Sequence, residues 1–122
     1  MLDMISIEKG KLGESKVAGY FLAQGYHVFL PVFSYPECDM VIMKEGITQK
    51  VEVKATSSKT KGGNFMVSLR RIRNNSRHYT IHKFDGACAD ILAVYIVDED
   101  RVVLLKANDL NGRTAVTIKK GG

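Results

Sequence analysis

The chain has 122 residues, 45% of them hydrophobic and 25% charged, with 18 Lys and Arg against 13 Asp and Glu. That length fits a single domain with a modest core. No apolar run approaches the roughly 20 residues of a membrane span, and the start lacks the basic-then-apolar order of a signal peptide, so the expected compartment is the cytoplasm, with a virus-encoded protein included. The formal charge of +5 favours a polyanionic partner, of which nucleic acid is the commonest.

A helix is predicted from Ile7 to Gln24, where Gly25 supplies the left-handed stop. Tyr26 to Phe33 alternates and is rich in strand formers, and Ser34, Tyr35 and Pro36 break it. Cys38 to Lys44 and Ile47 to Thr56 read as strands joined by a two-residue Glu45-Gly46 turn. Ser57 to Asn64 reads as a loop and Phe65 to Leu69 as a fourth strand; the conformation of the basic stretch Arg70 to Phe84 stays open. Ala89 to Val97 is an apolar strand that pairs with Arg101 to Leu105 across Asp98-Glu99-Asp100. Asn108 to Gly112 suggests a turn or short helix, and Arg113 to Lys119 an edge strand. One helix, a strand meander, a basic segment and further strands imply an α/β or α+β domain around one mixed sheet.

The turn fixes which residues meet. A two-residue loop at Glu45-Gly46 pairs Lys44 with Ile47 and, continuing outward, Asp39 with Glu52. Directly opposed carboxylates have Cβ atoms about 5 Å apart. Lys54, two residues beyond Glu52, projects from the same face, while Met40, Ile42, Val51 and Val53 form the opposite, apolar face. A one-residue slip would destroy this arrangement. Two like charges so close call for a compensating cation, and magnesium takes one or two carboxylates with waters and phosphate oxygens. Lys54 adds a positive charge where a scissile phosphate would lie, which together is equipment for phosphodiester hydrolysis. In the helix, Glu14, Val17, Ala18 and Phe21 follow i, i+3, i+4, i+7 spacing. This places Glu14 on the sheet-facing stripe, where a carboxylate is costly unless paired. Gly13 beside it allows close approach of a backbone.

The segments Lys11-Leu-Gly-Glu14, Glu37-Cys-Asp39 and Val51-Glu-Val-Lys54 resemble the PD-(D/E)xK nuclease superfamily. There a helical Glu precedes a strand Asp and then an ExK strand. The spacing is similar to that of archaeal-type Holliday junction resolvases. It is also similar to that of small cyanobacterial-type intron homing endonucleases, which the tail, Asp90-Ile-Leu-Ala-Val-Tyr95 and Leu110-Asn-Gly-Arg-Thr114, resembles more closely. Pro36 lies three residues before Asp39, where the superfamily pattern has its Pro adjacent. The resemblance implies an α/β fold, a mixed central sheet flanked by helices in a restriction-endonuclease-like core. It further implies that Glu14, Asp39, Glu52 and Lys54 are catalytic, with metal held by Asp39, Glu52 and the carbonyl of Val53. Lys54 would act on the attacking water or the transition state, and Glu14 would reach the metal directly or through water. The cofactor would be Mg²⁺, with Mn²⁺ as substitute.

Each feature also has a plain structural reading. An ExK strand arises often by chance, and a basic stretch is usually a solvated face. Beside a nuclease site, Lys9, Lys11, Lys59, Lys61, Arg70, Arg71, Arg73 and Arg77 become candidates for DNA phosphate contact. His78 and His82 have the i, i+4 spacing of a helical metal pair but no matching acidic ligand, and His27 reads as structural. Cys38 and Cys88 form no CxxC pair and read as reduced core thiols. The expected activity is therefore cleavage of branched or duplex DNA by a homodimer or larger symmetric oligomer. Junction selectivity is slightly preferred, because no appended base-reading module is visible; sequence-specific homing is the alternative. A reading of another class is a non-catalytic DNA-binding module.

Overall fold

The computed structural model describes residues 5–33, 38–69, 71–74 and 79–121, with the backbone alone for 71–74 and 79–82. Helix α1 runs Ser6–Ala23. Its end is a Schellman motif: Gly25, at φ 87°, donates to the Leu22 carbonyl and Tyr26 to that of Phe21. The Tyr26 and Phe21 rings meet edge-on at 5.3 Å, which is the apolar contact that closes such a cap.

The strands are β1 (His27–Phe29), β2 (Met40–Lys44), β3 (Ile47–Thr56), β4 (Phe65–Ser68), β5 (Arg71–Asn74), β6 (Tyr79–His82), β7 (Ile91–Ile96), β8 (Arg101–Lys106) and β9 (Ala115–Ile118). Five of them form a mixed sheet in the order β1-β2-β3-β7-β8, parallel only between β3 and β7. β4 pairs β9, and β5 pairs β6, each antiparallel. The β2–β3 turn has positive φ at both Glu45 and Gly46, 54° and 79°, as a type I′ hairpin requires. Lys44 accordingly pairs Ile47, and the ladder runs outward to Met40 opposite Val51.

Both faces of the central sheet are covered. On one side Val17 and Phe21 of α1 pack on Met40, Ile42, Val51 and Ala93. On the other, Leu92, Val94 and Ile96 join Phe65, Val67, Leu69, Phe84, Leu110 and Ile118. This explains why β7 is apolar throughout rather than alternating: a strand in parallel pairing has core on both sides. Gly13 lets α1 lie close, since a Cβ there would stand 3.1 Å from Ala55 Cβ. Tyr95 also ties the layers, its hydroxyl donating to Asp100 at 2.6 Å while Lys16 of α1 pairs with the same oxygen at 3.0 Å. Among the described residues no helix is long and apolar enough to cross a membrane.

Several expectations are revised. The strand expected from Tyr26 to Phe33 stops at Phe29, and Leu30, Val32 and Phe33 leave the sheet with exposed side chains. Within the basic stretch, whose conformation the sequence leaves open, β5 and β6 pair antiparallel and His82 ends a strand rather than lying on a helix; His78 lies outside the described residues. One α-helix, rather than helices in the plural, packs on the sheet among the described residues; the other helical pieces are 3-10 turns at Val97–Glu99 and Ala107–Leu110. Cys38 and Cys88 are thiols outside any disulfide, as expected, but half-buried rather than in the core.

Candidate active site

The site forms where the β2–β3 ladder ends. β2 has five residues and β3 ten, so Glu52 to Thr56 runs past its antiparallel partner. At this boundary the Asp39 amide donates to the Val51 carbonyl at 2.9 Å, although Met40 already stands opposite Val51. Two residues facing one is a β-bulge, the usual device for re-aiming a side chain beside a site. The bulge turns the Asp39 carboxylate onto the Val53 amide, with Oδ2 accepting at 2.6 Å. In an extended strand the N–H and C=O of one residue point the same way. The Val53 carbonyl therefore opens on the edge where Asp39 sits.

Glu52 and Lys54 alternate with the helix-facing Val51, Val53 and Ala55, so they project from the opposite face. Glu52 is 1% exposed, a fully buried carboxylate. Its Oε2 lies 3.6 Å from Lys54 Nζ, and the Lys54 side chain keeps partial access to solvent. Such burial is tolerated only beside a compensating charge.

Glu14 arrives from α1 and stands against Asp39. It is not in the apolar stripe expected from its spacing: the buried helix positions are Gly13, Val17 and Phe21, and Glu14 flanks them with an exposed side chain. Partial burial raises its carboxyl above the usual range. The negative charge of Asp39 and a hydrogen bond with it push the same way, against Lys11. A shallow cavity of about 340 Å³ opens on these two carboxylates and is rimmed by Leu30, Val32 and Phe33. A second cavity, of about 360 Å³, lies further along the β3 edge; it begins at Lys54 and reaches Lys9 and Ser57.

Among the described residues no three His, Cys, Asp or Glu side chains form a ready-made cage for a metal ion. Magnesium does not need one, because it keeps waters and substrate oxygens in its coordination sphere and asks the protein for one or two carboxylates. The carboxylates of Asp39 and Glu52 and the Val53 carbonyl are oxygen donors of the kind that demand calls for.

The other expected contacts divide. Lys9 is half-buried and donates to Ser57 Oγ at 2.7 Å, while Lys11 and Lys61 are exposed. Lys59 is engaged within the fold, 3.2 Å from Asp98 and over the Phe65 ring. Arg70 and Arg77 lie outside the described residues; Arg71 and Arg73 stand on β5, where only the backbone is described. The sequence reading missed the apolar rim at Leu30–Phe33, for which neither residue type nor spacing gives a signal.

Comparison with known proteins agrees with this architecture. Residues 4–120 match the PD-(D/E)XK endonuclease family. Protein 5.3 of Escherichia phage T7 is 34% identical over 112 residues, which cover 91% of this chain and 88% of that protein. The solved structure of a bacterial homing endonuclease, I-Ssp6803I, superposes with a TM-score of 0.85 over 97% of this chain and 80% of its own, at 23% identity, a likeness of fold. The mixed five-stranded sheet with a helix packed on it is thus the restriction-endonuclease-like fold expected above, and the chain belongs to the PD-(D/E)XK endonuclease family.

Proposed function

We propose that the chain is a magnesium-dependent DNA endonuclease, with manganese as substitute, that hydrolyses a phosphodiester bond at the free edge of β3. The observation that carries this reading is the Asp39 carboxylate held on the Val53 amide, next to the Glu52–Lys54 pair at 3.6 Å. In this reading Asp39, Glu52 and the Val53 carbonyl hold the metal. Magnesium so bound would supply Lewis-acid polarisation of the scissile phosphate and acidify a water. Lys54, an ammonium already fixed beside Glu52, orients that water or faces the charge that develops on the phosphate. Glu14 completes the acidic end of the cleft from the helix, acting on the metal directly or through water. Lys11 and Lys61, with Arg70, Arg71, Arg73 and Arg77, hold the DNA backbone.

Cutting both strands calls for two sites, so the working unit is a homodimer or larger symmetric oligomer. The phage relative supports a virus-encoded enzyme at work in the host cytoplasm. Junction-selective cleavage is the preferred substrate class. A sequence-specific reading is favoured by the homing endonuclease fold.

The test is magnesium-dependent cleavage of a mobile four-way junction and a matched linear duplex, side by side, by wild type and Glu52→Gln. Paired nicks in the junction alone establish the resolvase reading. Binding of both substrates without cleavage of either moves the search to a specific target sequence. Cleavage by Glu52→Gln at the wild-type rate overturns the site assignment.

A further inference from the structure

The cavity beyond Lys54 differs in chemistry from the acidic cavity at Asp39. It lies between the start of α1, the end of β3 and β4, and among the described residues no carboxylate lines it. Its polar lining is Lys9, Lys54 and the hydroxyls of Ser6, Ser57, Ser58 and Ser68. Thr56 fixes its floor, since its hydroxyl donates to the Met66 carbonyl at 2.8 Å and accepts from the Ser58 amide at 3.2 Å.

Lys9 is the unusual member. Lys16, Lys59 and Arg101 each pair with a carboxylate, Asp100, Asp98 and Glu99 in turn. Lys9 is half-buried, and among the described residues its ammonium is held by a neutral hydroxyl, Ser57 Oγ at 2.7 Å. A partly desolvated cation with only neutral donors and acceptors around it lacks the counter-charge that would offset its burial. An anion brought in from outside supplies that charge. Ser57 is three residues beyond Lys54, about 10 Å along an extended chain. Phosphates on one strand succeed each other by about 3.4 Å of helix rise, so the cavity stands within about three phosphates of the bond that is cut.

We propose that the Lys9–Ser57 cavity is a subsite for a non-scissile backbone phosphate of the strand being cut, which sets the register of the scissile phosphate against Lys54. The assignment rests on the nuclease site proposed above, because that site defines which phosphate is scissile. Lys9 and Ser57 are positioning residues: they hold the strand and touch no reacting atom.

The experiment is the salt dependence of binding to a mixed-sequence duplex oligonucleotide, with calcium replacing magnesium so that binding is read without cutting. Lys9→Gln should flatten the slope of log K against log salt by about 0.9, the loss of one phosphate contact. Lys9→Arg should restore the slope. Ser57→Ala should weaken binding roughly ten- to hundredfold through a lost hydrogen bond to a charged group and leave the slope unchanged. Lys106→Gln, which removes the same charge from the opposite edge strand β8, should change nothing. An unaltered slope in Lys9→Gln, or an equal change in Lys106→Gln, overturns the proposal. Glu52→Gln separates the two readings. Loss of cleavage with an intact slope leaves both standing, whereas retained cleavage removes the catalytic assignment and leaves the phosphate subsite to be judged on the Lys9 slope.

Discussion

Gly13 and Gly19 lie on the same helix, and replacing each by Ala separates packing from propensity. Ala in a helix interior is favoured over Gly by about 1 kcal/mol. At Gly19 an added methyl meets nothing within 4 Å, so Gly19→Ala should stabilise the fold by about that amount. At Gly13 the same methyl stands 3.1 Å from Ala55 Cβ, 3.5 Å from Val53 Cγ1 and 3.6 Å from Tyr95 Cβ. Ala55 has no torsion with which to yield, and its backbone is held in the parallel ladder with β7, so α1 must lift by a few tenths of an ångström. Overpacking of this kind costs about 1–3 kcal/mol, which cancels or exceeds the propensity gain. Urea midpoints at constant m should therefore place Gly13→Ala about 1–3 kcal/mol below Gly19→Ala. Lifting α1 also carries Glu14 away from Asp39, so magnesium-dependent cleavage should fall in Gly13→Ala by more than its stability implies. Equal stabilisation by the two substitutions would refute the close-approach argument.

Three further outcomes follow from named contacts. Asp39→Asn keeps an oxygen able to accept from the Val53 amide at the bulge, so it should fold with a near-native midpoint while cleavage drops on the order of 10²-fold or more; unchanged cleavage would remove Asp39 from the site. Gly86→Ala places a methyl 2.5 Å from the Ala107 carbonyl oxygen and 3.0 Å from Asn108 Cα, both backbone, and should cost about 3 kcal/mol in thermal or urea unfolding. Burial first, then the hydrogen bond to Asp100 and its negative charge, push the Tyr95 phenol up to about 12. A raised folded pKa means that its contribution is fully present below pH 10 and is lost as pH rises from there through 12. Asp100 is held below its ordinary 3.8 by that hydrogen bond and by Lys16, so its contribution is lost only as pH falls below 3.8. Tyr95→Phe should flatten the alkaline limb of a stability–pH curve, and an unchanged limb would count against the Tyr95–Asp100 contact.

Legibility in the sequence tracks how local the determining interaction is. Glu45-Gly46 between two apolar strands announces a two-residue hairpin, and the register to Met40–Val51 follows from it. Gly25 after a helical pattern announces the Schellman end. Glu14, Glu52 and Lys54 are visible because each sits on a regular element, whereas Asp39 stands at a bulge just before β2 and bonds to Val51, rather than standing directly opposite Glu52 as the hairpin register predicts. Three features were hidden because they depend on distant parts of the chain. Tyr26 to Phe33 has the composition of a long strand, yet β1 follows β2 only from Val41 to Met43, and past that pairing Leu30 to Phe33 has no ladder to join. Arg71–Asn74 and Tyr79–His82 pair as antiparallel strands whose charged residues dilute the strand signal. Glu14 departs from its expected stripe because the closest helix–sheet contact is made by Gly13, which a hydrophobicity pattern does not weigh.

The bulge at Asp39 shows why the site stands where it does. A strand that outruns its partner exposes amides and carbonyls that must find other acceptors and donors. At Val53 the amide finds the Asp39 carboxylate, and a hydrogen bond from a backbone N–H to an ionised acceptor is among the stronger ones available. That bond orients the carboxylate, and it does so without enclosing it. The carbonyl of the same residue stays open beside it. On the other face Glu52 is buried, with its Oε2 3.6 Å from Lys54 Nζ. Backbone hydrogen bonding thus sets one carboxylate and burial sets the other. A substitution that restored regular pairing at residue 39 would lengthen the ladder and remove the site, because its geometry depends on the place where the ladder stops.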